Sequence, residues 1–285
     1  MSGRIAKVAL ISVMFAGTLV AESRKEYHFN VGPKAGVSIN NPYGSISVKP
    51  STGNTVVINA VLHSDKVEVD NSQNGNRIDV QSHLLAGADA DSGRVDYEVL
   101  VPADASITLH SSTGPLRAEK LHGDVTLEGA DAIVEIRDMS NGHVHVKTVN
   151  GSVTLTDVQD GHIEIDSLSG AITLNRVNGQ LVQAVSTSGN ISYAGDFGDG
   201  GEYRFTSHSG DIDATVPESA SADVTARSVS GEVHDDIRLQ PKTHTWLPAK
   251  AGSTFVGTMG RAAVSSKVML RTFSGKIHLR KRSDK

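Results

Sequence analysis

The sequence predicts an all-β chain wound as a β-solenoid of the parallel β-helix or β-roll type, with less regular β caps at both ends. Three observations predict it. First, small residues recur at steps of nine or ten through the middle of the chain, at Gly114, Gly123, Ala132, Gly142, Gly151, Gly161, Gly170, Gly179 and Gly189. Second, apolar residues follow at plus two and plus four, often with a third at plus seven that closes the unit. Val144, Val146 and Val149 show this, as do Val153, Leu155 and Val158, then Ile163, Ile165 and Leu168, then Ile172, Leu174 and Val177. That alternation has the period of a strand. Third, the units stop at Asn-Gly, Asp-Gly or Ser-Gly corners. A fixed period over many units marks a stacked array. Two units make a two-strand turn of about 19 residues, each turn about 4.8 Å above the last.

Composition agrees. Hydrophobic residues make up 38% of the chain but aromatics only 4%, which suits ladders of Val, Ile and Leu better than a conventional globular core. The 28 glycines and only eight prolines fit many tight corners. A net charge of −5 leaves no basic footprint, so nucleic acid is not an expected partner. The absence of cysteine excludes disulfides, thiolate metal sites, a cysteine nucleophile and a lipidated N-terminal cysteine.

Residues 1–21 read as a secretory signal. Arg4 and Lys7 form a basic start, and Val8 to Val20 is apolar up to Ala21, with an alternative cut at Ala16 to Thr18. An uncleaved N-terminal anchor is the alternative; both place the rest outside the cytoplasm, in the periplasm, at the cell surface or beyond. No other segment is apolar enough to span a membrane.

Residues 22–110 read as a β cap leading into the coil, with a separate β-sandwich as the alternative. Expected strands are Tyr27–Val31, Val37–Asn40, Ser45–Lys49, Thr55–Leu62, Lys66–Asp70, Arg77–Ser82 and Arg94–Val101, separated by turn-formers that include Asn71 to Gly75. Residues 111–215 are the regular repeat. In residues 216–285 the period breaks. Val216-Pro217-Glu218-Ser219-Ala220 echoes Val101-Pro102-Ala103-Asp104-Ala105, and Gly231 and Gly275 continue the motif. Between them Leu239 to Arg261 is an irregular excursion that carries the only tryptophan, Trp246, and is expected to cap the coil's open end. The basic tail, Arg280 to Lys285, blunts the terminal edge. Exposed terminal edges also allow end-to-end self-association.

The repeat resembles a bacterial putative-adhesin family, a domain of unknown function built from Ser-Gly-Asp-Val-x-Val-like units. Asn150-Gly151-Ser152-Val153-Thr154-Leu155, Ser169-Gly170-Ala171-Ile172-Thr173-Leu174, Ser209-Gly210-Asp211-Ile212 and Ser274-Gly275-Lys276-Ile277 carry the likeness, with Asn41-Pro42-Tyr43-Gly44-Ser45-Ile46 near the start. The resemblance spans roughly residues 30 to 281. It implies a secreted or surface β-solenoid without established catalytic residues.

The period also predicts which outward side chains stack. On one wall the columns are Asp124–His143–His162, Thr126–His145–Glu164 and Glu128–Lys147–Asp166. His143, His145, His162 and Glu164 have the chemistry to hold zinc or copper. The plainer reading is four exposed side chains on a flat sheet. The other wall presents the column Glu135–Thr154–Thr173–Ser192, with Thr156 and Asn175 beside it. This short, polar, nearly uncharged face suits an envelope component, a glycan or a protein partner. Alternatively, threonine simply favours exposed strands. Asp196-Phe197-Gly198-Asp199-Gly200-Gly201-Glu202 could cup calcium or be an insertion at a corner.

The expected function is therefore a non-catalytic, exported adhesive or scaffolding surface with no cofactor. The alternative is a carbohydrate-active β-helix enzyme, lyase or hydrolase, working near Glu164, Asp166 and a roof formed by His244, Trp246 and Lys250. Phosphate loops, dinucleotide fingerprints and a Gly-x-Ser-x-Gly elbow are all missing from the sequence.

Overall fold

The computed structural model describes residues 22–198, 200–237, 240–241, 253–260 and 266–282. The expected export segment at 1–21, Asp199, and His244, Trp246 and Lys250 lie outside the described residues. The described chain is β throughout. It opens with β1 (Ser23–Asn30), β2 (Gly36–Asn40), β3 (Ile46–Pro50), β4 (Thr55–Leu62), β5 (Val67–Asn74), β6 (Arg77–Leu84) and β7 (Val95–Val101). The middle comprises β8 (Ser106–Ser111), β9 (Leu116–Glu119), β10 (Val125–Gly129), β11 (Val134–Ser140), β12 (His143–Thr148), β13 (Val153–Ser167), β14 (Ile172–Ser186), β15 (Ile191–Ala194), β16 (Glu202–Ser207) and β17 (Ile212–Val216). It closes with β18 (Ala222–Ser228), β19 (Val233–Asp235), β20 (Gln240–Pro241), β21 (Ser253–Met259), β22 (Ser266–Thr272) and β23 (Ile277–Lys281).

The middle strands pair in parallel, one coil turn apart. Val125 lies beside Val144, Val144 beside Ile163, and Ile163 beside Val182. On the opposite wall Val134, Val153, Ile172 and Ile191 stack in the same way. The long strands β13 and β14 run through a corner from one wall to the other. That corner is made by left-handed residues, Asp157 (φ 55°) and Arg176 (φ 51°), whose side chains pair across the turn at 2.5 and 2.6 Å. Each turn buries only the inner edge of its own strands, so the interior is shared. One apolar cluster runs from Phe29 in the first strand to Leu279 in the last.

The two corners are built differently. At one, the plus-seven residue closes the core as expected: Met139, Val158 and Val177 are buried. At the other, Val149 and Leu168 stand outside, 41% and 52% exposed, and Thr148 and Ser167 occupy the interior instead. The chain there reads Ser/Thr-x-Ser/Asn-Gly six times: Thr148 to Gly151, Ser167 to Gly170, Ser186 to Gly189, Ser207 to Gly210, Ser228 to Gly231 and Thr272 to Gly275. The buried hydroxyl bonds the glycine three residues on. Gly189, Gly210, Gly231 and Gly275 donate their N–H groups to it at 2.8, 2.9, 2.9 and 3.1 Å. In two rungs Thr148 and Ser167 donate instead to the carbonyls of Gly151 and Gly170, at 3.2 and 3.0 Å. A valine here would leave these groups buried without partners. Nine of the ten buried polar residues among those described stand in this column, which Ser111, Asn41 and Ser82 continue into the cap. Ser82 Oγ donates to Asn41 Oδ1, and Asn41 Nδ2 to the Val95 carbonyl, both at 2.8 Å.

Glycine ends the tetrapeptide because successive corners touch. A Cβ on Gly170 would stand 1.9 Å from the Gly151 carbonyl oxygen, and one on Gly189 2.1 Å from that of Gly170. No backbone adjustment short of separating the rungs relieves this.

Between Val182 and Tyr203 the turn is longer by two residues than its predecessors. The extra length falls in the Asp196 to Glu202 loop, which folds Phe197 into the core. Its ring stacks on Tyr193 at 5.0 Å and meets Tyr203 edge-on at 5.0 Å. Tyr193 Oη donates to the Asp196 carbonyl at 2.7 Å. The insertion thus widens the coil for an aromatic plug.

The ends depart from chain order. At the C-terminal end β22 lies between β16 and β18, and β23 between β17 and β19. Gly275 therefore stacks on Gly210, and Gly231 on Gly275. At the N-terminal end β2 lies between β6 and β8, and β3 between β7 and β9. Antiparallel strands then cover the outer rungs: β5 on β6, β4 on β7, β1 on β4 and β21 on β18. β21 belongs to the excursion between Leu239 and Arg261, so that segment's described part caps an open edge by pairing. The expected turn at Asn71 to Gly75 is shorter than read: β5 runs through Asn74, and Gly75 turns at φ 60°.

Two stability outcomes follow from the corner. Gly170→Ala should lower stability by about 3 kcal/mol in urea denaturation, whereas Gly36→Ala, with open space around its Cβ, should be nearly neutral. Ser207→Ala removes the acceptor of the Gly210 N–H and should cost about 1–3 kcal/mol by the same measurement.

Candidate functional site

The wall built from β9, β11, the first half of β13, the first half of β14, β15 and β17 carries the expected neutral face. Its strands bring Glu135, Thr154, Thr173 and Ser192 into one column, and Arg137, Thr156, Asn175 and Ala194 into the next. Alternation puts their neighbours Val153, Leu155, Ile172 and Leu174 into the core, which fixes the outward direction of the polar set. Thr154, Thr156, Thr173 and Asn175 are half-buried against one another and Ser192 is exposed. Among the described residues, none of these five side chains has a hydrogen-bond or ion-pair partner, although all can donate and accept.

The same wall is charged on either side of this patch. Towards the N-terminal end Arg117 pairs with Glu135 at 3.1 Å and Lys49 with Glu119 at 3.4 Å. Towards the C-terminal end Asp213, which follows Ser192 in the column, meets Arg280 at 2.9 Å, and His278 meets Asp236 at 3.2 Å. The three turns between them present no charge on this face.

The opposite wall brings the four expected metal-ligating residues together, but as a chain of pairs. His162 Nε2 lies 3.2 Å from one Glu164 oxygen and His145 Nδ1 3.6 Å from the other. His143 sits beside His162, ring centres 5.2 Å apart, and its backbone N–H donates to Asp124. Among the described residues no three His, Asp or Glu side chains converge as metal ligands. A flat pleat explains this, because residues two apart project in parallel. The hydrogen bond from His162, then the charges of His162 and His145, hold the Glu164 carboxyl below the ordinary glutamate range. A glycosidic general acid needs the opposite shift.

The family model described as Toastrack DUF4097 matches residues 36–280. The chain belongs to the Toastrack family. The expected resemblance to a family of unknown function built on these β-repeats is thereby met. No curated protein matches the chain. Two solved structures are similar. One is a putative adhesin from Parabacteroides distasonis ATCC 8503, with 13% identity over 92% of this chain and 98% of that one, at a TM-score of 0.40. The other is a putative cell adhesion protein from Clostridium sporogenes ATCC 15579, with 11% identity over 91% of this chain and 100% of that one, at a TM-score of 0.30. Neither likeness is close enough in geometry to carry an argument.

The Toastrack chain also holds a cluster that sequence reasoning did not anticipate. Asp96 accepts the Ser45 N–H and hydroxyl at 2.7 Å each, His63 Nε2 at 2.7 Å and Arg94 at 2.8 Å. Serine and histidine each bond the aspartate and not each other, so no activated nucleophile results. The role is structural: it ties the start of β3 to β7 and to the end of β4. Arg94 is local to Asp96, but Ser45 and His63 are distant in sequence and reach it only because β3 and β4 flank β7. The hydroxyl column at the corner was the more legible omission, since its tetrapeptide recurs openly.

Partial burial opposes ionisation of Asp96, but the bonds from Ser45, His63 and Arg94 outweigh it and lower its pKa to about 2. A depressed carboxyl stabilises the fold fully above its unfolded pKa, and that contribution is lost as pH falls through the folded value. Asp96→Asn should therefore cost about 1–2 kcal/mol at neutral pH, after allowing for solvent screening, and the gap to the parent should close between about pH 4 and pH 2. Thermal melts across that range measure it.

Proposed function

We propose that this Toastrack chain is an exported, non-catalytic binding protein. Its working surface is the neutral face formed by Thr154, Thr156, Thr173, Asn175 and Ser192. The supporting observation is the contrast along one wall: five polar side chains with no internal partner, between turns whose charged residues are paired with one another. A hydroxyl or amide held rigidly on a sheet loses little entropy on binding, and each new bond contributes about 0.5–1.5 kcal/mol net. A neutral face also avoids the larger cost of desolvating charges. These properties suit an extended, hydroxyl-rich or amide-rich partner, namely a glycan or protein of the cell envelope, in an adhesive or scaffolding role. Export is supported by the basic start at Arg4 and Lys7 and the apolar run from Val8 to Val20.

The purified protein should retain envelope glycans or surface protein without cleaving them. Thr154→Lys with Thr173→Lys should weaken that retention at least about tenfold, a loss of roughly 1.4 kcal/mol. Thr126→Lys on the opposite wall should leave it unchanged. Equal binding by all three proteins, each with an unaltered thermal melt, would remove the face from consideration. Recovery of shortened glycan would overturn the non-catalytic reading.

A further inference from the structure

The outer side of the Ser/Thr-x-Ser/Asn-Gly corner carries a ridge that the neutral face does not use. The second residue of each tetrapeptide points outward. Backbone bonds join these residues in spatial order: Leu168 follows Val149, then Thr187, His208, Phe273 and Val229. Seven large hydrophobic residues are exposed among those described, and four of them are here: Val149 at 41%, Leu168 at 52%, Phe273 at 49% and Val229 at 38%. Thr187 and His208 are also exposed, and the His208 ring stacks on Phe273 at 5.0 Å and 9°. Six rungs make a strip about 24 Å long.

We infer that this ridge is the contact between two copies of the chain packed side by side in opposite directions. Its order is palindromic: two apolar residues, two polar residues, two apolar residues. Reversed against itself, it sets Val149 against Val229 of the second copy, Leu168 against Phe273 and Thr187 against His208. A parallel copy would instead bring each residue against itself.

The flanking columns fit the same arrangement. On the side towards the histidine wall, Asp166 precedes Leu168 by two residues and Arg271 precedes Phe273 by two. Neither has an ion-pair partner among the described residues. In the antiparallel pair each Asp166 meets the Arg271 of the other copy, twice by symmetry. On the other side the ridge is bordered by Asn150, Ser169, Ser188, Ser209, Ser274 and Ser230, whose small side chains let the corners approach. Ser169, Ser188, Ser209 and Ser230 bond back to the carbonyl of the preceding rung, so they need no partner from outside. The one like-charged meeting, Lys147 with Arg227 of the copy, falls at the solvent-facing ends, where salt screens it.

The strip is narrow, so it buries about 400–500 Å² on each copy and yields a weak dimer, in the range of transient contacts. Sedimentation velocity on the purified protein from about 1 to about 200 µM should show a concentration-dependent shift from one copy to two. Leu168→Glu and Phe273→Glu should each hold the protein as single copies with unchanged thermal melts, because both side chains already face solvent. Asp166→Arg and Arg271→Asp should each weaken association, and the two together should restore it. The chain has no cysteine, so Val149→Cys mixed with Val229→Cys should form a disulfide-linked pair on oxidation. Val149→Cys alone should not, since its two copies lie about 24 Å apart. A single copy throughout the range, association that survives a charge on the ridge, or cross-linking of Val149→Cys to itself would each overturn the arrangement. These readouts use no glycan or envelope partner, so they stand or fall separately from the neutral face.

Discussion

The fold depends on backbone-to-backbone contact at one corner. Parallel strands set the rise between turns, and at the Ser/Thr-x-Ser/Asn-Gly corner that rise leaves no room for a Cβ. The carbonyl of Gly151 occupies the space that a side chain on Gly170 would need, and the same relation links Gly189 to Gly170 and Gly210 to Gly189. So close a turn faces polar backbone groups inward. The hydroxyl at the head of the tetrapeptide satisfies them from within the core, at a cost well below that of leaving an amide buried and unpaired. Glycine and hydroxyl are therefore one device: the glycine permits the contact and the hydroxyl makes it tolerable.

That device sorts the outer surface. With inward positions committed to valine, isoleucine, leucine and corner hydroxyls, variation is confined to outward positions. Several of these are paired with one another, as in the His145–Glu164–His162 chain, the Arg176–Asp157 pair and the Arg280–Asp213 pair. Threonine and serine occur in all these settings but in different states. Ser186 and Ser207 are buried and bonded, Ser169 and Ser188 are exposed and bonded, and Thr154 and Thr173 are outward and unbonded. Composition cannot separate the three states. Position relative to the corner can, and along its own wall it sets the neutral face apart from the charged, paired turns on either side.

Much of this was legible in the sequence, for a mechanical reason. Period-two alternation after Gly142 and Gly161 places Val144 and Ile163 in one interior column, and the outward columns then follow by counting; the extra residue after Gly179, which puts Val182 rather than Leu181 beside Ile163, does not. The Thr154–Thr173–Ser192 and His145–Glu164 neighbours were readable this way. What was not readable depended on non-local geometry. Hydropathy put Val149 and Leu168 with the core, because apolarity alone does not reveal that the corner has already turned. The recurring hydroxyl one residue earlier was the missing signal. The meeting of Ser45 and His63 at Asp96 required knowing that β3 and β4 flank β7, and the cation and carboxylate chemistry on the histidine wall required knowing that a pleat keeps neighbouring side chains parallel.

The two ends follow the same logic under a different constraint. A parallel coil that simply stopped would leave a full strand edge open at each end, the usual template for uncontrolled pairing. Here the chain leaves a gap one rung wide, lays down a further rung, covers it with antiparallel β21, and returns to fill the gap with β22 and β23. β22 and β23 are thus hydrogen-bonded on both sides, and on the β18 wall antiparallel β21, itself met by the short β20, lies outside the coil. The N-terminal end does the same in reverse order, with β2 and β3 enclosed by β6 and β7. The edges of β16 and β17 must wait for strands that lie far along the chain. Contacts of such sequence separation are slow to form. The neutral face and the apolar ridge both lie on the sides of the rod, away from these ends.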